Sequence, residues 1–229
     1  MSRSRGAASA ADRAALLQLV SLLLQYPDAE LLDARPRLAA AARALPPAPG
    51  REPLTAFTAW YQAADPLELA AGYVETFDLR RKCTLHLTYY LHGDTRRRGM
   101  ALLELKRRYR AAGLVPPEGE LPDYLPMVCE FAAQEGAAGE EPLRLHRKGL
   151  ELLRAALAQR GSPYALVLEA LCGLLPAMSE AELDQVSGLA LAGPPGELVG
   201  LGAGLPGYAA ATVEAGLDAG TTAGKGVSQ

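Results

Sequence analysis

The chain has 229 residues, 49% of them hydrophobic and 6% aromatic, with a formal net charge of -3. That balance argues against a protein whose main partner is a nucleic-acid backbone, which calls for an excess of Lys and Arg. Three widely separated cysteines, Cys83, Cys129 and Cys172, form no CxxC pair, so neither a disulfide framework nor a zinc knuckle is expected, and a reducing cytoplasm fits best.

Abundant Ala and Leu against few β-branched residues predict an all-α protein, a single compact multi-helix bundle of roughly eight to ten helices. The opening MSRSRGAASAADR lacks the apolar run of a signal peptide. The stretches LVSLLLQY and YALVLEALCGLLPAM are too short, or interrupted by Glu169, to span a bilayer. The expectation is a cytoplasmic protein without direct membrane insertion. Its parts are a flexible N-terminus (1–12), a helical domain (13–189) and a disordered, Gly/Pro/Ala-rich C-terminal tail (190–229).

Along the chain, Leu16, Leu17, Val20, Leu23 and Leu24 recur at helical spacing from Asp12 to Gln25, and YPDAE stops that helix and starts another. Residues 45–53, LPPAPGREP, read as a surface connection. In DPLELAAGYVETFD, Pro66 fits a first helical position after Asp65, with Leu67, Ala70, Ala71, Val74 and Phe77 on the inner face. Leu102, Leu105, Tyr109 and Ala112 predict the buried stripe of a further helix, closed by a left-handed cap at Gly113. A helix after ELPDYLP buries Leu125, Val128, Cys129 and Ala132. Next comes an amphipathic helix from about Glu141 to Gln159, then a nearly all-apolar one begun by Ser162-Pro163.

The search for chemistry finds no nucleophile with a base, no metal-ligand cluster and no phosphate loop. The three histidines, His86, His92 and His146, make no HExxH, and neither a metal nor a cofactor of its own is expected. LHGDTRRRG lacks the glycine pattern of a nucleotide site and reads as a turn in which Asp94 or Thr95 caps the next helix. That helix is strongly basic, with Arg96, Arg97, Arg98, Lys106, Arg107, Arg108 and Arg110 against Glu104. It is either a solvated face or an electrostatic docking surface. ELPDYLP, residues 120–126, opens a helix with two prolines and an acid. Asp123 there is either an N-cap beside a core-packed Tyr124, or both residues line a groove that takes a cationic or amphipathic ligand.

Taken together, AAGYVETFDLRRKCTLHLTYYLHGDTRRRGMALLELKRRYRAAGL followed by ELPDYLPMVCEFAA resembles the nitrate reductase molybdenum cofactor assembly chaperones. These form the NarJ-type or delta-subunit family, within the wider TorD-like group of redox-enzyme maturation chaperones. The resemblance covers about residues 13–188 and includes LLLQYPD near the start. It implies an all-helical bundle that is not an enzyme. The implied activity is to bind the apo catalytic (alpha) subunit of a respiratory nitrate reductase, partly through its N-terminal segment. The client is thereby held for molybdenum cofactor insertion before membrane attachment. Molybdenum cofactor biosynthesis proteins are further implied partners, and nucleic acid is not.

The wider group has an acidic proline-Asp-His motif associated with leader-peptide binding, matched here at Glu120, Pro122 and Asp123, with Tyr124 where the histidine stands. The client-peptide site expected from the resemblance is Glu75, Asp78, Glu120, Pro122, Asp123, Tyr124 and Met127. Arg96, Arg97, Arg98, Arg107 and Arg108 form the expected client docking patch. Two rival readings are a helical regulatory protein that binds nucleic acid through Arg96–Arg110, and a small hydrolase whose site carries no visible motif.

Overall fold

Ser9 opens the first helix. Its hydroxyl accepts from the Asp12 amide while the Asp12 carboxylate accepts back from the Ser9 amide, satisfying two otherwise orphaned donors. A computed structural model of the chain describes residues 9–192. Among them are twelve helices: α1 (Ala10–Leu23), α2 (Ala29–Asp33), α3 (Arg35–Ala44), α4 (Arg51–Ala63), α5 (Pro66–Tyr73), α6 (Tyr89–His92), α7 (Arg96–Ala111), α8 (Leu125–Glu135), α9 (Glu141–Leu145), α10 (Arg147–Gln159), α11 (Tyr164–Leu174) and α12 (Glu180–Ala192). The fold is all-α, as expected. The extra helices come from short turns that a periodicity reading merges or passes over. The sole extended pairing among the described residues is one antiparallel bridge between His86 and Tyr124.

The centre of the bundle is α1, whose Leu16, Leu17, Leu19, Val20 and Leu23 are buried around most of its circumference. It packs most extensively on α8 and also on α11, while α11 continues the core onto α4 and α10, and α3 lies on α4. Val128, Cys129 and Ala132 of α8 face this core, as do Val167, Leu168 and Leu171 of α11. Helix α7 stands apart. Leu105 and Tyr109 meet Phe131 in a separate small cluster, covered by Ala112, Leu114 and Met127. Gly113 closes α7 with φ +76°, and the Leu114 amide reaches back to the Tyr109 carbonyl at 2.8 Å, the left-handed cap that the sequence predicts.

Several expectations are corrected. The flexible N-terminus does not extend to residue 12, because the capping box starts α1 at Ala10. The 45–53 connection is shorter and less superficial: α4 begins at Arg51 and Gly50 is buried. A Cβ at Gly50 would collide with Leu16 and crowd the Ala170 carbonyl, so the loop is pressed between α1 and α11. The inner face of α5 is Leu69, Tyr73 and, one turn on, Phe77, while Leu67 is 81% exposed. The larger aromatic surface of Tyr73 and Phe77 decides which face turns inward. The 141–159 segment breaks at His146, which leaves the helical region and gives its amide and its Nδ1–H to the Pro142 carbonyl, at 3.1 and 3.0 Å. Beyond the expected boundary at 189, α12 runs to Ala192, started by reciprocal Ser179–Glu182 hydrogen bonds, and packs on α10. The rest of the expected tail lies outside the described residues. No helix among the described residues is long and apolar enough to cross a membrane.

Candidate functional site

Four of the sequence stretches singled out above meet at one place. The Leu87 amide donates to the Asp123 carbonyl (2.9 Å) and the Leu125 amide to the Leu85 carbonyl (2.8 Å). These two bonds flank His86 and Tyr124, which therefore form a close, non-hydrogen-bonded pair with both rings on one face, 6.2 Å apart. Tyr124 is extended just ahead of α8, where Pro126 is tolerated because the first turn needs no donor.

From half-buried Tyr124 an aromatic row runs through buried Tyr73 to exposed Tyr26. Tyr73 donates to the Leu24 carbonyl at 3.0 Å, satisfying an acceptor at the end of α1, so the Tyr124 hydroxyl, 3.2 Å away, is the donor to the Tyr73 oxygen. Tyr26 stands edge-on to Tyr73 with centroids 5.6 Å apart and is 46% exposed. Burial pushes the Tyr124 hydroxyl pKa up, against the Tyr73 hydrogen bond, and the nearby carboxylates of Glu120 and Asp78 push it the same way as burial. Both acids are exposed, so the row has a negative rim, and Leu79 and Leu121 are exposed apolar neighbours in sequence. Asp78 sits at the end of a wide π turn, Val74–Asp78, which continues α5 and closes with the Leu79 amide on the Val74 carbonyl at 3.1 Å. The accessible faces of Tyr26 and Tyr124, propped from behind by Tyr73 and neighboured by acids, have the chemistry to take a segment that is apolar on one side and cationic on the other.

Behind the row, Asp123 is fully buried. Its Oδ2 accepts from the Thr88 amide (3.1 Å) and hydroxyl (2.5 Å), and Arg98 approaches to 3.7 Å. Its Oδ1 faces His86 Nδ1 at 3.4 Å, an ion-pair distance without the alignment of a regular hydrogen bond. Burial by itself would raise the Asp123 pKa, but His86 and Thr88 stabilise the ionised form more strongly and hold it below the usual aspartate range. Arg98 is shared between Asp123, Asp94 at 3.0 Å and the face of Tyr89, with the guanidinium 5.7 Å from the ring centre. Tyr109 of α7 donates to the Pro122 carbonyl at 2.8 Å. The buried carboxylate thus ties the start of α8 to α6 and α7.

Residues 43–169 match the family described as nitrate reductase delta subunit. The chain belongs to the nitrate reductase delta subunit family. It is 35% identical over 165 residues to a Bacillus subtilis protein assigned as the nitrate reductase molybdenum cofactor assembly chaperone NarJ, covering 72% of this chain and 90% of that one. To the Escherichia coli chaperone NarJ it is 37% identical over 161 residues, 69% of this chain and 68% of that one. A Mycobacterium tuberculosis nitrate reductase-like protein, NarX, is 40% identical over 156 residues, 68% of this chain, which spans 23% of that longer protein. A crystal structure from Archaeoglobus fulgidus, assigned as a redox enzyme maturation protein, shares the fold. Its TM-score is 0.53 at 22% identity, over 69% of this chain and 91% of that one.

In this delta-family chain the predicted site divides. Tyr124, Asp78 and Glu120 come together at the surface. Glu75 is exposed but engaged with Arg80 (3.0 Å) and Arg160 (3.7 Å). Pro122 is buried, and Met127 is turned under α7 against the Leu105–Tyr109–Phe131 cluster. Both sequence readings of Asp123 are corrected. Its carboxylate makes no cap to α8, where Tyr124 holds the cap position, and it has no surface with which to touch a ligand. His86, Tyr26 and Tyr73 were missed as site residues. The signal for the tyrosines lay in the stretches LLLQYPD and AAGYVETFD, each with a tyrosine two positions before an acid.

The basic helix divides as well. Arg97 and Arg107 are exposed and Arg108 half-buried, with Glu104 bridging Arg107 (3.9 Å) and Arg108 (3.3 Å), whereas Arg98 is committed to Asp94 and Asp123. Thr95 holds the N-cap position of α7, but no side chain caps it: Asp94 pairs with Arg98, and the Thr95 hydroxyl donates to the His92 carbonyl at 2.7 Å. Cys83, Cys129 and Cys172 are buried free thiols, and among the described residues no group of His, Cys, Asp and Glu is placed to hold a metal.

Proposed function

We propose that the chain is a maturation chaperone for a respiratory nitrate reductase, acting by binding rather than catalysis. In this reading it holds the apo catalytic subunit for molybdenum cofactor insertion before membrane attachment, in the cytoplasm. The observation that carries the site is the aromatic row Tyr26–Tyr73–Tyr124 with Asp78 and Glu120 at its rim. An N-terminal client segment, folded as an amphipathic helix, lays its apolar side on Tyr26 and Tyr124, which Tyr73 supports from beneath, and its cations against the acids. Molybdenum cofactor biosynthesis proteins are further proposed partners. Family membership and the names of the NarJ relatives support the assignment.

Roughly 400 Å² of apolar burial contributes about 10 kcal/mol, against association and ordering costs of about 4–15 kcal/mol. Binding is therefore modest and reversible, which suits a chaperone that must release its client. The exposed cations of α7, Arg96, Arg97 and Arg107, together with half-buried Arg108, provide a second contact, to acidic client surface.

The test is calorimetric titration of the full chain with a synthetic N-terminal peptide of the cognate nitrate reductase catalytic subunit, at two salt concentrations. Saturable one-to-one binding is expected, weakened about tenfold by Glu120→Lys or Asp78→Lys with the melting temperature unchanged. Absence of binding at either salt, or binding that ignores both substitutions, overturns the assignment of the row as the client site.

A further inference from the structure

Between α6, α7 and α9 the surface opens into a cavity of about 300 Å³, walled by Leu91, Ala101, Pro142 and Leu145 and flanked by His92 and His146. Leu145 is 57% exposed at this cavity, and an apolar side chain left open beside an apolar hollow gains from being covered. The two imidazoles stand 6.0 Å apart. His146 gives its Nδ1–H to the Pro142 carbonyl at 3.0 Å, burial lowers the pKa of both rings, and Arg97 lowers that of His92 further. Both are therefore neutral at neutral pH, and the hollow itself carries no cation.

Its border does. Arg108 lines the opening beside Glu104, whose single charge is shared between Arg107 and Arg108, leaving a positive excess. Arg97, near His92, is exposed. A nucleic-acid backbone would meet these cations but leave the hollow and Leu145 uncovered, and the chain's net charge of -3 opposes it. An acidic polypeptide meets both requirements.

We infer that the cavity and the basic face of α7 form a docking site for an acidic segment of a partner protein. One apolar side chain of that segment enters the cavity, and its flanking carboxylates meet Arg97, Arg107 and Arg108. The inference deepens, and rests on, the reading of α7 as a second client contact. It adds the anchor: affinity at such sites concentrates in one buried apolar group, and the ionic rim sets orientation and rate of encounter.

The experiment is fluorescence anisotropy on the full chain with labelled probes: a peptide of about twelve residues bearing one Leu flanked by Glu and Asp, its Leu→Ser counterpart, and a duplex DNA. The Leu peptide is expected to bind about tenfold more tightly than the Ser peptide. Leu145→Ser is expected to abolish that preference. The double change Arg97→Glu, Arg107→Glu should weaken both peptides about tenfold and flatten their salt dependence. Thermal melts of both surface variants establish that they are folded. Equal affinity for the two peptides, lost on charge reversal, overturns the anchor cavity and leaves the basic docking surface standing. No binding, or binding indifferent to charge reversal, overturns both. Duplex DNA bound more tightly than either peptide, and lost on charge reversal, overturns the assignment to a protein partner.

Discussion

The bundle around α1 and the arm made by α7 are held in different ways. In the bundle, α1 offers apolar side chains nearly all round, so α8, α11 and their neighbours bury one continuous core. The arm contributes Leu105 and Tyr109 to a small separate cluster, and much of its attachment is polar: Arg98 and Thr88 on Asp123, and the Tyr109 hydroxyl on the Pro122 carbonyl. An apolar core tolerates exchange of one hydrocarbon for another, whereas a buried polar tie fails when one member is removed. The surfaces proposed above for partners border the second kind of attachment, at Tyr124 beside Asp123 and along α7.

The largest effect is expected at Asp123. Asp123→Asn should lower folding stability by about 3–5 kcal/mol in denaturant titration, because Arg98 loses the buried charge that compensates it and the Thr88 amide and hydroxyl lose an ionised acceptor. Since the folded-state pKa of Asp123 is below the usual value, its contribution is present at neutral pH and is lost as pH falls through the ordinary aspartate range and then the lower folded value. The Asn variant should show a shallower acid limb. Leu168→Ala, at a fully buried position of α11, is expected to remove about 2–5 kcal/mol of global stability. Leu105→Ala, in the smaller cluster, should remove about 2 kcal/mol, the low end of the range for a buried leucine, and accelerate hydrogen exchange selectively along α7. Uniform exchange across α7 and α1 would show that the arm does not open separately.

Smaller still is the effect of His146, whose folded pKa is lowered chiefly by burial. Its neutral form contributes fully above the ordinary imidazole value, and that contribution declines as pH falls from there through the lower folded value. His146→Gln should flatten that decline in a stability profile between pH 7 and 5. Arg107→Ala is expected to change stability by no more than about 0.5 kcal/mol, since its pair with Glu104 is exposed.

Where a feature is set by neighbours in sequence, the sequence was readable. The Asp65 cap ahead of Pro66, the Leu125, Val128, Cys129 and Ala132 stripe of α8, and the Gly113 closure of α7 all follow local rules. The inner face of α5 was misread because two competing stripes differ by a few residues, and only the partners of Tyr73 and Phe77 on other helices choose between them. Asp123 was misread for a related reason. Its burial depends on Thr88, Arg98 and His86, which are remote along the chain, so a local reading finds only a cap or a surface acid. The aromatic row was half legible: Tyr124, Asp78 and Glu120 were named, but the hydroxyl contact that recruits Tyr73 required the fold.

The single bridge between His86 and Tyr124 has a consequence for chain length. The Thr88–Asp123 bond, beside that bridge, joins residues 35 apart and fastens together the two ends of the excursion that contains α7. Loop-closure entropy grows only logarithmically, so doubling such an excursion adds about 0.6 kcal/mol. Segments inserted at the far end of α7, around Pro116 to Gly119, leave the two fastened ends untouched. The arm can therefore be lengthened or shortened there while the bundle keeps its registration, which makes its outer end the part of this fold most free to vary in size.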